Sequence, residues 1–176
     1  MDLEALKQSI LQYVTDLPAH LPAINSTAVL AALIGGWITG WIWYGIAGQV
    51  WKSSVGKEGL GAFSPRRQIF TGLAQVIMTI MLANLMQQLG DTTVSGGIHT
   101  ALMIWFGFVM TTILVNYANL GARLSLTLVD GIHWLLVLVA MGAIIGLVSQ
   151  FGLAGTATAP ATPPAATTTT TTGSGG

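Results

Sequence analysis

GFVMTTILVNYANLGARLSLTLVDGIHWLLVLVAMGAIIG, residues 107–146, decides the class of this protein. One apolar run closes on Asn116 and Tyr117, a short connection carries Arg123, and a second apolar run opens with Asp130 and His133. Traced back to Ile98 and on to Val148, each run is long enough to cross a hydrocarbon layer of about 30 Å at about 1.5 Å per residue. An ionisable pair inside such a run is costly, so it marks either a functional group or a tightly partnered one. The i, i+3 spacing sets Asp130 and His133 on one face of a helix.

The rest of the chain agrees. Of its 176 residues 52% are hydrophobic and only 7% charged, with a mean hydropathy of +0.70, whereas soluble domains carry about 25% charged residues. The expectation is an all-α integral membrane protein. Six basic and six acidic residues balance, so no net field favours nucleic acid. There is no cysteine, which excludes disulfides and thiolate chemistry. His20 and His99 belong to one side and His133 to the other, so no metal set is expected. No Ser-His-Asp order, phosphate loop or HExxH occurs, and neither an enzymatic activity nor a cofactor is implied. The start, Met-Asp-Leu-Glu, lacks the basic lead of a cleaved signal, and no lipidation box is present.

Taken in order, residues 1–22 carry Leu3, Leu6, Ile10 and Leu17 at helical spacing, ended by Pro18 and Pro22, as in an amphipathic helix lying on a membrane surface or ordering only against the rest of the protein. Residues 24–150 form the membrane domain, with spans at about 27–48, 68–89, 98–118 and 126–148. In span one Ala28, Ala32, Gly36 and Gly40 recur every four residues and line one face that another helix can approach closely. Gly142 and Gly146 repeat that pattern in span four. Trp37, Trp41, Trp43, Tyr44 and Trp51 crowd the end of span one, at the headgroup level. Residues 49–64 read as a polar loop, Ser64-Pro65 as a helix start, and Ser95-Gly96-Gly97 as part of a tight hairpin after Gly90-Asp91. Thr71, Gln75 and Thr79 share a face of span two, with Asn84 nearly opposite. Residues 153–176, rich in Thr, Ala and Pro, are expected to be disordered.

Four spans put both termini on one side. The loop after span one and the start of span two carry Lys52, Lys57, Arg66 and Arg67, and the connection after span three carries Arg123. Five of the six basic residues thus share a side, with Lys7 alone on the other. The positive-inside rule places the basic loops in the cytoplasm and both termini outside, as in a bacterial inner membrane. In that arrangement Trp43 and Tyr44, Asn116 and Tyr117, Asp130 and His133, Arg123 and Arg66 converge near the cytoplasmic boundary.

These residues carry a resemblance. Trp43-Tyr44-Gly45 with Gly48 and Trp51, then Gly107-Phe108-Val109, Thr111-Thr112 and Asn116-Tyr117, then the run Leu128 to Trp134, resemble in order the motifs of the DUF1761 family. The resemblance covers roughly residues 27–150. It implies a small four-span membrane protein and supplies no chemistry.

Two readings of the polar cluster stand side by side. Asp130 and His133 form a proton-responsive or cation-binding pair, or else Asp130 is anchored by Arg123, Arg66 or an indole N–H and the cluster is structural. Two functions follow. One is a non-catalytic accessory or assembly subunit that docks its small-residue faces on another membrane protein or on its own copy. The other is a small transporter or channel for a proton, ion or small solute. The first is the expectation, because four spans are few for a self-contained transporter.

Overall fold

The computed structural model describes residues 3–20, 24–55 and 65–152, and every regular element among them is a helix. These are α1 (Leu3–His20), α2 (Ser26–Val55), α3 (Pro65–Gln88), α4 (Val94–Ile104), α5 (Met110–Asn119) and α6 (Leu124–Gln150). A five-residue π-helical turn, Trp105–Val109, joins α4 to α5 without a break, so the two form one span. The expected tail at 153–176 and most of the loop at 49–64 lie outside the described residues.

Four stretches, Ser26–Val55, Gln68–Gln88, Val94–Asn119 and Leu124–Gln150, are long and apolar enough to cross a membrane. Ile34, Ile38, Ile42 and Ile46 run down the outside of α2, and Ile69, Leu73, Ile77 and Met81 do the same on α3. Rows of exposed aliphatic residues at helical spacing are what a lipid-facing surface requires and what water disfavours. The fold is that of a multi-pass membrane protein.

The helix ends follow from local chemistry and differ from the sequence expectation in three places. α2 continues to Val55 through what reads as loop. Ser53 and Ser54 donate back to the Val50 carbonyl at 2.8 and 2.7 Å, and Arg123 Nη1 donates to the Ser53 carbonyl at 3.2 Å, satisfying an end that composition alone leaves open. α4 begins at Val94, so Ser95, Gly96 and Gly97 are its first turn and not a hairpin loop. Thr93 is the N-cap, its Oγ1 accepting from Gly96 N at 3.0 Å, and Asp91 Oδ1 accepts from Thr93 Oγ1 at 2.6 Å. α1 runs through Pro18 to His20, since a proline in a last turn removes one hydrogen bond without forbidding helical dihedrals. α3 ends at Gln88 and Gly90 closes it as the sequence suggests, with φ +69° and the Gly90 and Asp91 amides bonding back to Gln87 and Met86.

α6 is the central helix. Its largest interfaces are with α2 and α4, while α3 packs more lightly against α2, α4 and α6. The dense core gathers Ala28, Ala32, Leu82, Met86, Leu138 and Met141, from the start of α2, the end of α3 and the second half of α6. Gly142 meets Gly97 so closely that a Cβ on either would overlap the other's backbone, and a Cβ on Gly146 would overlap the backbone of Thr93. α1 packs against no other helix among the described residues.

Candidate functional site

The opposite end of the bundle, where α2 finishes and α6 begins, is built differently. Asp130 lies in the second turn of α6. Its carboxylate accepts from two phenols, Tyr44 of α2 at 3.0 Å on Oδ1 and Tyr117 of α5 at 2.5 Å on Oδ2. Hydrogen bonds to an ionised acceptor are about twice as strong as neutral ones, so two of them hold the group in place without removing its charge. Two indoles grip the backbone on either side. Trp43 Nε1 donates to the Val129 carbonyl at 3.1 Å, and Trp105 Nε1 donates to the Gly131 carbonyl at 2.7 Å.

His133 sits one turn deeper. Its ring lies 4.7 Å from that of Tyr44 and 4.9 Å from that of Trp134, and its Nδ1 is buried without a hydrogen-bond partner. Gly40 makes room for it: a Cβ there would come within 3.1 Å of His133 Nε2.

The two arginines offered by the sequence as partners for Asp130 point elsewhere. Arg123 caps the end of α2 through the Ser53 carbonyl, and the Arg66 guanidinium lies 5.6 Å above the ring of Phe70 on its own helix. Neither of these arginines, nor Lys52, forms an ion pair with Asp130. Asn116 is exposed on α5, outside the cluster. The structure therefore brings together Asp130, His133, Tyr44, Tyr117 and Trp43, and leaves Asn116, Arg66 and Arg123 apart.

The separation of Asn116 from Tyr117 depends on the π turn. In an uninterrupted α-helix at about 100° per residue, Tyr117 would lie about 160° round from Ala101, which packs on α6. The i to i+5 turn, closed by Met110 N on the Trp105 carbonyl, takes up one extra residue. It rotates α5 so that Met110 and Tyr117 face α6, with Met110 Sδ beside Gly131. No residue pattern marks this turn, nor Trp105 as a ligand of the Asp130 turn. Two aromatic residues before a glycine, Trp105-Phe106-Gly107, are the sole trace of it in the sequence.

Between α2, α3 and α6 a half-open cleft of about 680 Å³ leads to Asp130. Trp37, Trp41, Tyr44 and Trp51 line it from α2, Gln68, Thr71 and Gln75 from α3, and His133 and Trp134 from α6. Trp37, Trp41 and Trp51, read as an interfacial belt, are thus also a cleft wall. Gln75 and Thr79 are buried, and so is Asn84 on the far side of α3, which borders a second, mostly apolar cleft of about 450 Å³. The Ala28–Gly36 stripe is covered from within: Gly36 faces Met141 and Gln75, and Ala28 and Ala32 are in the core. The Gly142–Gly146 stripe is covered by α4.

Comparison with known proteins places this chain. Residues 27–146, well over half of it, match the DUF1761 family, described as protein of unknown function, and the chain belongs to that family, as its Trp43-Tyr44-Gly45 and Leu128–Trp134 motifs imply. No curated protein and no solved structure matches it.

Proposed function

We propose that this membrane protein admits a small cationic or polar solute into the cleft between α2, α3 and α6, as a non-catalytic transporter or channel. One observation carries the reading. The Asp130 carboxylate borders a solute-sized cleft, held by two phenols and paired with neither Arg66 nor Arg123. A structural carboxylate in an apolar helix is normally neutralised by a partner. One positioned by neutral donors keeps its charge for something else. The polar residues Gln68, Thr71 and Gln75 extend the path along α3.

The alternative, an accessory subunit docking through small-residue faces, has less support because both stripes are covered by the chain's own helices. We place the basic end in the cytoplasm on the five-to-one distribution of basic residues.

The test is flux in proteoliposomes containing the purified protein and a potential-sensitive dye, under an inward gradient of sodium, potassium or an organic ammonium salt. A signal that depends on the protein and is lost in Asp130→Asn is expected. Identical leak in empty and loaded vesicles contradicts the reading. A stoichiometric companion retained on purification from native membrane without crosslinking would favour the accessory subunit.

A further inference from the structure

We propose that the cleft is a site for an alkyl-substituted ammonium ion, its charge towards Asp130 and its alkyl groups against the indole faces of α2. This rests on the cation reading above and narrows it. Trp37, Trp41, Tyr44 and Trp51 fall at i, i+4, i+7 and i+14, so they form one aromatic stripe along the cleft wall. Trp134 faces them from α6, and Tyr44 meets Trp51 edge-on at 5.9 Å. Gly48, also on the wall, has nothing within 4 Å of where a Cβ would stand, so the space between the rings is open.

The chemistry of the lining selects among cations. A hard cation such as calcium or magnesium takes six or more oxygen ligands, and a softer one such as zinc takes a set of His, Cys or carboxylate groups. Here both oxygens of a single carboxylate already accept phenol hydrogen bonds, and no group of three His, Cys, Asp or Glu residues lies together among the described residues. A proton needs no cleft of about 680 Å³. An anion meets the carboxylate as a like charge. A weakly hydrated organic cation instead gains from ring faces, whose quadrupoles attract it, and from one fixed negative charge. Among the side chains described, Lys52 is the one Lys or Arg on the lining, and it is exposed at the mouth, where water screens it.

The experiment is intrinsic tryptophan fluorescence of the full chain in lipid nanodiscs, titrated at constant ionic strength with tetramethylammonium, choline, sodium or magnesium chloride. A saturable change with tetramethylammonium and choline, absent with sodium and magnesium, is expected. Asp130→Asn should weaken it by about tenfold or more. Gly48→Val, whose Cβ meets no neighbour, narrows the cleft and should weaken the response in a protein that still folds, while Gly45→Ala, equally unobstructed and off the lining, should not. Equal responses to sodium and tetramethylammonium would overturn the ammonium site and leave a general cation cleft standing. An ammonium response unchanged by both Asp130→Asn and Gly48→Val would place binding elsewhere and overturn it too. Silence towards every cation would overturn this site and the cation reading together.

Discussion

At its far end α6 lays Gly142 and Gly146 on the backbone of Gly97 and Thr93, whereas at its near end Asp130 and His133 stand off from α2 behind the rings of Trp43 and Tyr44. Both ends depend on small residues, for opposite purposes. Gly97 and Gly142 remove side chains so that two backbones touch, which in lipid is a main source of helix association. Gly40 and Gly48 remove side chains so that space remains, for the His133 ring in one case and for an open cleft in the other. A glycine stripe read from sequence therefore does not distinguish a helix contact from a cavity floor. What it faces decides.

The sharpest way to break this contrast is at the closed end. Gly142→Leu drives a side chain into the Gly97 backbone, which has no rotamer with which to yield, and should cost roughly 3 kcal/mol or more. Loss of the monodisperse peak on size exclusion in detergent is the readout, and a protein as stable as wild type would mean that α4 and α6 do not meet there. Gly36→Leu comes next. Its neighbours are the flexible tip of Met141 and the Gln75 amide, so about 1–3 kcal/mol is expected, against little change for Ile38→Leu on the lipid face. Equal thermal midpoints for the two variants would put the α2 stripe in lipid.

At the open end the effects are smaller. Trp105→Phe removes the indole donor to the Gly131 carbonyl and should cost about 1 kcal/mol. Because the same turn aims Tyr117, the variant should also loosen the Tyr117–Asp130 bond, seen as faster hydrogen exchange at the start of α6. No change in exchange there would separate the π turn from the site. The direction in which each end faces is read by labelling and not by stability. Cysteine at Ser54 should be shielded from an impermeant thiol reagent in intact cells, and cysteine at Thr93 labelled. The reverse pattern would invert the topology.

Much of this architecture is legible before any coordinates. The four spans follow from hydropathy and length, and Tyr117, Tyr44, Trp43 and Asp130 are brought to one level by simple alternation of the spans. The pairing of Asp130 is not legible, because Arg123 is nearer in sequence than either phenol and yet is drawn to the open carbonyls at the end of α2, where Ser53 sits. Nor does 3.6-residue arithmetic reach Tyr117 from Ala101, since the π turn shifts the register by a residue and leaves no periodic signature. The cleft is invisible for another reason. Trp37, Trp41 and Trp51 suit a headgroup belt and a cavity wall equally well, and only the placement of α3 distinguishes the two.

The claim at the centre of this account is that the charge of Asp130 serves a solute and not the fold, and the thermal midpoint of Asp130→Asn in detergent tests it most directly. Asparagine keeps one acceptor for the Tyr44 and Tyr117 hydroxyls and removes the penalty of holding a carboxylate in an apolar helix. With neither Arg66 nor Arg123 paired to Asp130, these effects oppose one another, and the variant should lie within about 1 kcal/mol of wild type or above it. A fall of several degrees, partly recovered when Arg66, Arg67 or Arg123 is also neutralised in a double-mutant cycle, would show that Asp130 is one half of a structural ion pair and contradict the account.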